Sequence, residues 1–157
     1  MIVILDFDST IVQGEGLDIL AEVCSTGSNQ ISRIKELTNR GMSGEISMDE
    51  SLSLRIELLN ASQSNIEEAV LRLKEILSPS IKCLLDSYAL SFNEIYVVSG
   101  GFIEYVLPVC MSLGILETHV FANRFVYDND MVIGFDKSIP LWKARGKVEL
   151  IESLSLE

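Results

Sequence analysis

The chain has 157 residues, 48% of them hydrophobic, with 12 basic against 23 acidic side chains and a formal net charge of -11. That length suits one compact domain with room for a small insertion, and the apolar fraction excludes a disordered chain. The acidity argues against a general nucleic-acid binder, because affinity for phosphate backbones rests on Lys and Arg. Membrane spanning is not expected either. The longest uncharged apolar stretch, residues 105–116, is interrupted by Pro108 and Gly114, and a spanning helix needs about 20 residues. Residues 1–5 carry no basic flank and run straight into Asp6, so no secretory signal is read there. Cys24, Cys83 and Cys110 show no metal-ligand spacing and fit reduced, buried thiols of a cytoplasmic protein.

In chain order, residues 1–5 form an apolar run rich in β-branched side chains, which predicts a strand of a buried parallel sheet. It stops at Asp6-Phe7-Asp8-Ser9-Thr10. Gly14 and Gly16 open a loop before a helix over residues 17–23. Residues 28–77 read as helical throughout. Ile31, Ile34, Leu37 and Gly41 recur at three- and four-residue steps. Ser47-Met48-Asp49-Glu50 is a capping box ahead of Leu52, Ile56 and Leu59, and Ser64-Asn65-Ile66-Glu67 repeats the pattern ahead of Ala69, Val70 and Leu73. Ser78-Pro79 closes the region and opens another helix. The expected organisation is an α/β core over residues 1–12 and 78–157, with an all-helical insertion at 13–77.

Past the insertion, Ile81, Leu84, Leu85 and Tyr88 predict a helix, and residues 95–98 a short apolar strand ending in Ser99-Gly100-Gly101. A helix then runs towards Gly114 as its C-terminal stop, with Pro108 expected to disturb it. Residues 119–127 and 131–135 flank Asp128-Asn129-Asp130 as a β-hairpin. A final helix carries Leu150, Ile151 and Leu154 three, four and seven places after Lys147.

Asp6 and Asp8 stand at i and i+2 where a buried strand stops, so an extended chain sends both carboxylates the same way. Carboxyl ends of parallel strands are where open α/β sheets hold ligands. Like charges this close call for a proton or a cation between them, and hard oxygens suit Mg²⁺. Taken alone, the pair also fits solvated turn chemistry. Ser99 with Gly100 and Gly101 is a second strand end, able to cradle an anion or to serve as a plain glycine-rich turn. Lys147, with Lys143 one turn earlier on the same side, is either a cation for that site or a solvated helix lysine. Met42 and Met48 fit core filling or the insertion's side of a pocket. His119, the one histidine, reads as a strand-end residue.

Together and in this order, these features resemble the haloacid dehalogenase superfamily of phosphotransferases: Asp6-Phe7-Asp8-Ser9-Thr10 after a strand, Val98-Ser99-Gly100-Gly101-Phe102, and a downstream lysine. Within it the chain is most similar to the phosphoserine phosphatase family. Glu15 follows the Asp motif, Met42-Ser43-Gly44 leads to Ser51-Leu52-Ser53-Leu54-Arg55, and Ala122-Asn123-Arg124 comes later. The resemblance implies a Rossmann-like parallel sheet with a small helical cap, and hydrolysis of a phosphomonoester through an aspartyl-phosphate. Asp6 would be the nucleophile and Asp8 the acid and base. Ser99, Gly100 and Lys147 (or Lys143) would hold the phosphoryl group. Mg²⁺ would sit on Asp6 and the Asp8 carbonyl. Glu15 and Arg55 would face a substrate ammonium and carboxylate, with Met42 beside them and phosphoserine as the expected metabolite. The alternatives are another small phosphorylated metabolite, or a non-catalytic binding module. The family follows its lysine helix with a further strand and a Gly-Asp-Gly segment that this sequence does not show. That departure predicts weak metal binding, low activity, and self-association through the open edge of the first strand.

Overall fold

The computed structural model describes residues 2–24, 27–87 and 95–154. Three parallel strands form the main sheet in the order β1 (Val3–Leu5), β2 (Ile95–Phe102) and β3 (Val120–Asn123). Val3 stands opposite Ile95 and Leu5 opposite Val97, while Val97 stands opposite Val120. The register slips between Val98 and Phe102, where β2 runs on through both glycines to Phe102. The strand is therefore longer than the apolar run that predicts it. Ser99, Gly100 and Gly101 belong to a strand, and not to the first turn of a helix.

Between β1 and β2 lie α1 (Gly16–Val23), α2 (Ser28–Met42), α3 (Met48–Leu59), α4 (Gln63–Glu75) and α5 (Pro79–Ser87). The predicted Ser47 cap is present, its side chain accepting from the Glu50 N–H at 3.1 Å. The second cap lies two residues earlier than predicted. Ser62 and Asn65 cap each other's backbone in a full capping box, so α4 starts at Gln63. The chain leaves and re-enters the sheet region at one place. Val12 bridges Leu77, Gln13 N–H donates to the Ile76 carbonyl at 2.8 Å, and Ser78 N–H donates to the Ile11 carbonyl at 2.9 Å. Tyr88, the last apolar position predicted for α5, lies outside the described residues.

After β2, α6 (Ile103–Ser112) passes through Pro108 unbroken. It ends as predicted around Gly114, whose φ of +81° is the left-handed conformation that only glycine adopts freely. Gly114 N–H donates to Met111 and Ile115 N–H to Cys110, a Schellman closure. The segment 119–127, predicted as one strand, is two. Its first part is β3, parallel to β2. Past Arg124 it becomes β4 (Phe125–Asp128), which pairs antiparallel with β5 (Met131–Phe135) across Asn129. This hairpin docks on the helical region, where Val132 N–H donates to Ala61 and Gln63 N–H to Asp130. A 3-10 turn at Pro140–Trp142 then leads into α7 (Gly146–Ser153).

Phe7, Phe102, Tyr105 and Phe125 form an aromatic core beneath the carboxyl ends of β1 and β2. Phe102 and Phe125 stack with centroids 3.8 Å apart. Of the three thiols predicted to be buried, Cys110 is buried and Cys24 half-buried, while Cys83 is exposed on α5. Among the described residues, no helix is long and apolar enough to cross a membrane.

Candidate active site

The site begins where β1 stops. Phe7 turns its side chain into the core, so Asp6 and Asp8 on either side of it both line a cleft of about 1280 Å³. Ser9 takes a left-handed φ of 53°, and its N–H donates back to the Gly14 carbonyl at 2.9 Å. The chain thereby folds over itself and delivers Glu15 and Gly16 to Asp8. Ser9 Oγ donates to Glu15 Oε1 at 2.8 Å. Gly16 N–H, first in α1, donates to Asp8 Oδ1 at 2.7 Å. Asp6 Oδ1 accepts from the Phe7 N–H at 2.8 Å, and its other oxygen lies 2.5 Å from Lys147 Nζ on α7.

Two carboxylates in one setting thus have unlike surroundings. Asp6 is exposed and ion-paired. Asp8 is pushed up to about 7, foremost by burial; the Gly16 N–H opposes this, Glu15 and Asp6 add to it, and Lys147 counters it. A carboxyl raised in this way can take up and release a proton near neutrality, and its neighbour two residues away lies in an ion pair instead.

The second strand end stands beside the first. Gly100 and Gly101 line the cleft, while Ser99 is fully buried behind them and accepts from the Gly101 N–H at 2.9 Å. Asn123 on β3, also fully buried, donates to the Gly100 carbonyl at 2.9 Å and so fixes that peptide's orientation. Across the cleft, α3 brings Arg55, only 8% exposed, to the wall.

The carboxylates of Asp6 and Asp8 and the Asp8 carbonyl are hard oxygen donors, suited to a divalent ion such as Mg²⁺ that keeps several of its waters. Among the described residues, no group of three His, Cys, Asp or Glu side chains is gathered as a ligand cluster. A set of this composition fits the ion with water completing its shell.

No protein-family model matches the chain. It is 33% identical over 153 residues to the chloroplastic phosphoserine phosphatase of Arabidopsis thaliana, an alignment covering 97% of this chain and 50% of that protein. It is 31% identical over 153 residues to the human phosphoserine phosphatase, covering 97% of this chain and 66% of that one. In structure it is similar to a phosphoserine phosphohydrolase-like protein from Francisella tularensis. The TM-score is 0.85 at 25% identity, with 100% of this chain and 75% of that one covered.

The chain belongs to the haloacid dehalogenase superfamily. Within that superfamily it stands close to the phosphoserine phosphatases, and it spans about half to two thirds of the length of these two relatives.

The cleft collects every candidate site residue named from the sequence except Ser99. Asp6, Asp8, Glu15, Met42, Arg55, Gly100, Lys143 and Lys147 all line it. Ser99 does not; it supports the glycines from behind. Lys143 lines the cleft without sharing a helix with Lys147. It follows the 3-10 turn in extended backbone, its Nζ 5.4 Å from the Trp142 ring centroid. Met42 is 69% exposed at the rim, which excludes core filling. His119 places Nδ1 3.2 Å from the Ile95 carbonyl and stacks on Tyr96, away from the cleft.

Tyr105 was not legible as a site residue. Its ring, fully buried, fills the floor beneath Gly16 and Gly101. A Cβ on Gly16 would lie 2.4 Å from that ring, and one on Gly101 2.8 Å from its hydroxyl. The signal was available in the pairing of two glycines with one large aromatic, but only a fold brings them together.

Proposed function

We propose that this chain is a Mg²⁺-dependent phosphomonoester hydrolase that cleaves phosphoserine through an aspartyl-phosphate formed on Asp6, a reaction that yields L-serine. One observation carries the reading: Asp6, ion-paired to Lys147, stands two residues from a half-buried Asp8 whose Oδ1 accepts from the Gly16 N–H and whose pKa is pushed up to about 7, foremost by desolvation. Residues 13–77 act as a helical cap over a core made of residues 1–12 and 78–157, and the cleft between them takes the substrate.

Asp6 attacks phosphorus, and the serine oxygen leaves with the proton from Asp8. Asp8, now a base, takes a proton from the water that hydrolyses the acyl phosphate, so phosphoserine and water give serine and inorganic phosphate. Lys147 offsets charge on the nucleophile and the phosphoryl oxygens. The Gly100 N–H is the backbone donor for those oxygens, because the Gly101 N–H is already bonded to Ser99. Ser99 Oγ, by accepting that bond, holds in place the glycine segment that presents the Gly100 N–H. Mg²⁺, held by Asp6 and the Asp8 carbonyl, supplies charge neutralisation when bound. Glu15 faces the substrate ammonium and Arg55 its carboxylate, a natural bidentate partner. Met42 closes the rim, and Lys143 adds positive charge at the entrance.

A second reading keeps the chemistry and changes the substrate to a bulkier phosphomonoester. The size of the cleft favours it, as do Met48 and Val148, both exposed where they line the cleft.

The test is phosphate release from phosphoserine and from phosphoethanolamine, which lacks the carboxylate, with and without Mg²⁺. Asp6→Asn is expected to abolish release. Arg55→Ala is expected to cost phosphoserine hydrolysis roughly ten- to a hundred-fold, the worth of a charge-assisted pair, and to spare phosphoethanolamine. Equal losses on both would favour the bulkier-substrate reading, and near-normal turnover by the Asn variant would end the covalent mechanism.

A further inference from the structure

Arg55 is buried beside the cleft, and a guanidinium in that setting needs both a counter-charge and a fixed orientation. Neither comes from its own helix alone. Its Nε donates to the Ser51 carbonyl in the preceding turn of α3 at a long 3.4 Å. Its Nη1 donates to Thr38 Oγ1 on α2 at 3.2 Å. Thr38 is 5% exposed, and its hydroxyl stands 3.1 Å from Asp18 Oδ1 on α1 and 3.1 Å from the Ile34 carbonyl. A hydroxyl has one proton to give, and the carboxylate is the stronger acceptor. The chain of donors therefore runs from Arg55 to Thr38 to Asp18 across three helices.

The packing keeps this chain in register. Ser51 Oγ donates to the Leu37 carbonyl at 2.7 Å, and a Cβ on Gly41 would lie 2.7 Å from that same Oγ. The two helices therefore cannot close further or slide without a clash. Thr38 is β-branched, so its χ1 has little freedom to re-aim the hydroxyl. With Nε and one Nη1 hydrogen occupied, the Nη2 end of the guanidinium has no acceptor among the described residues, and Arg55 lines the cleft.

We propose that Thr38 and Asp18 are positioning residues that fix the Arg55 guanidinium to receive a substrate carboxylate. This rests on the reading of Arg55 given above. Thr38 supplies the geometry. Asp18, reached through the Thr38 hydroxyl and joined by Glu15 and Asp8 from the cleft side, supplies charge that keeps a buried arginine tolerable while the cleft is empty.

The experiment is Thr38→Val, which keeps the shape and deletes the hydroxyl, with Thr38→Ser as the rescue. Michaelis constants are measured for phosphoserine and phosphoethanolamine, and solvent exchange of the Arg55 Nε–H is followed by ¹⁵N NMR. The Val variant is expected to raise KM for phosphoserine about tenfold, the scale of one hydrogen bond to a charged group. Its kcat should be nearly unchanged and its KM for phosphoethanolamine unmoved. Exchange at Arg55 should quicken, and Ser should restore both. Asp18→Asn, which removes charge and keeps shape, is expected to shift the same two readouts in the same direction, and it decides the matter if the Val variant does not fold. Equal KM changes on both substrates, or no change with phosphoserine, would overturn the proposal. If the wild-type protein hydrolyses neither compound, the phosphoserine reading fails by itself. The exchange rate then decides on the relay: unaltered exchange in the Val and Asn variants would sink it.

Discussion

Lys147 Nζ and Asp6 Oδ2 meet at 2.5 Å although 141 positions separate them in the chain. The contact joins α7 to the tip of β1 at the cleft. It is half in solvent, the two side chains being 40% and 44% exposed, and exposed pairs contribute at most about 1 kcal/mol to stability. Lys147→Ala should therefore leave the thermal midpoint within a few degrees of the parent and still reduce phosphate release by about a hundredfold or more, the scale for losing a charge that faces the reacting group. A large drop in melting temperature would make the pair structural instead.

Asp8 gives a pH prediction with a definite sign. In metal-free protein its carboxyl, followed by ¹³C NMR, should titrate about 7, far above the usual 3.8. Glu15 raises that value and Lys147 lowers it. Glu15→Gln is thus expected to move the midpoint down and Lys147→Met to move it up. A midpoint in the ordinary carboxylate range would remove Asp8 as the proton carrier.

Glu104 on α6 makes the pH dependence of stability testable away from the cleft. Its Oε1 accepts from the Phe125 N–H at 3.0 Å, whereas Oε2 is buried with no partner among the described residues. Burial pushes its pKa up, opposed by the Phe125 and Glu104 amides and by Arg124. A carboxyl with a raised folded-state value binds its proton more tightly folded than unfolded. Its contribution is therefore greatest below the unfolded value and is lost as pH rises through the folded one. Denaturant midpoints of the parent and of Glu104→Gln, measured from pH 4 to 8, should diverge in slope: the Gln variant is expected to lose less stability on going from acid to neutral pH. Parallel curves would show that the buried oxygen is not costly.

Among the glycines of the described residues, Gly146 leaves the least room for a side chain. A Cβ there would lie 1.8 Å from the Pro140 carbonyl oxygen, and backbone cannot rotate away as a side chain can. Gly146→Ala should displace the start of α7 and carry Lys147 off Asp6. The expected result is a loss of about 1–3 kcal/mol in stability, the scale of overpacking, together with lost activity. Full activity in the Ala variant would mean that α7 is held by its other contacts.

The sequence made β1, the Ser47 cap, the Gly114 closure and the Asp6/Asp8 pair legible because each is written locally, in periodicity or in the chemistry of one turn. Where the fold departs from those local patterns, the cause is tertiary. Ser62 and Ser64 are both serines with a polar residue three places on, and only the docking of the hairpin against Ala61 and Gln63 selects the first. Nothing in the run 119–127 marks Arg124 as the point where the chain leaves one sheet for another. Lys143 carries helix-like spacing to Lys147, yet the close contact of Gly146 with Pro140 forces the helix to begin later. Tyr105, Thr38 and Asp18 are long-range partners, and no single-chain pattern announces them.

The parallel pairing of Val3 with Ile95 also sets an order of events in folding. β1 cannot find its neighbour until a loop of roughly ninety residues has closed, an entropic cost that grows with loop length and is met before any strand contact forms. Helical turns within that loop form in about a microsecond, far sooner than such a closure. The five helices described between the two strands shorten the distance to be searched as they collapse, so the cleft, with lining residues drawn from both sides of the loop, is among the last features to assemble. A nascent chain of this protein is thus helical well before it is competent, and a refolding experiment read by far-ultraviolet circular dichroism should run ahead of one read by the fluorescence of Trp142 at the mouth of the cleft.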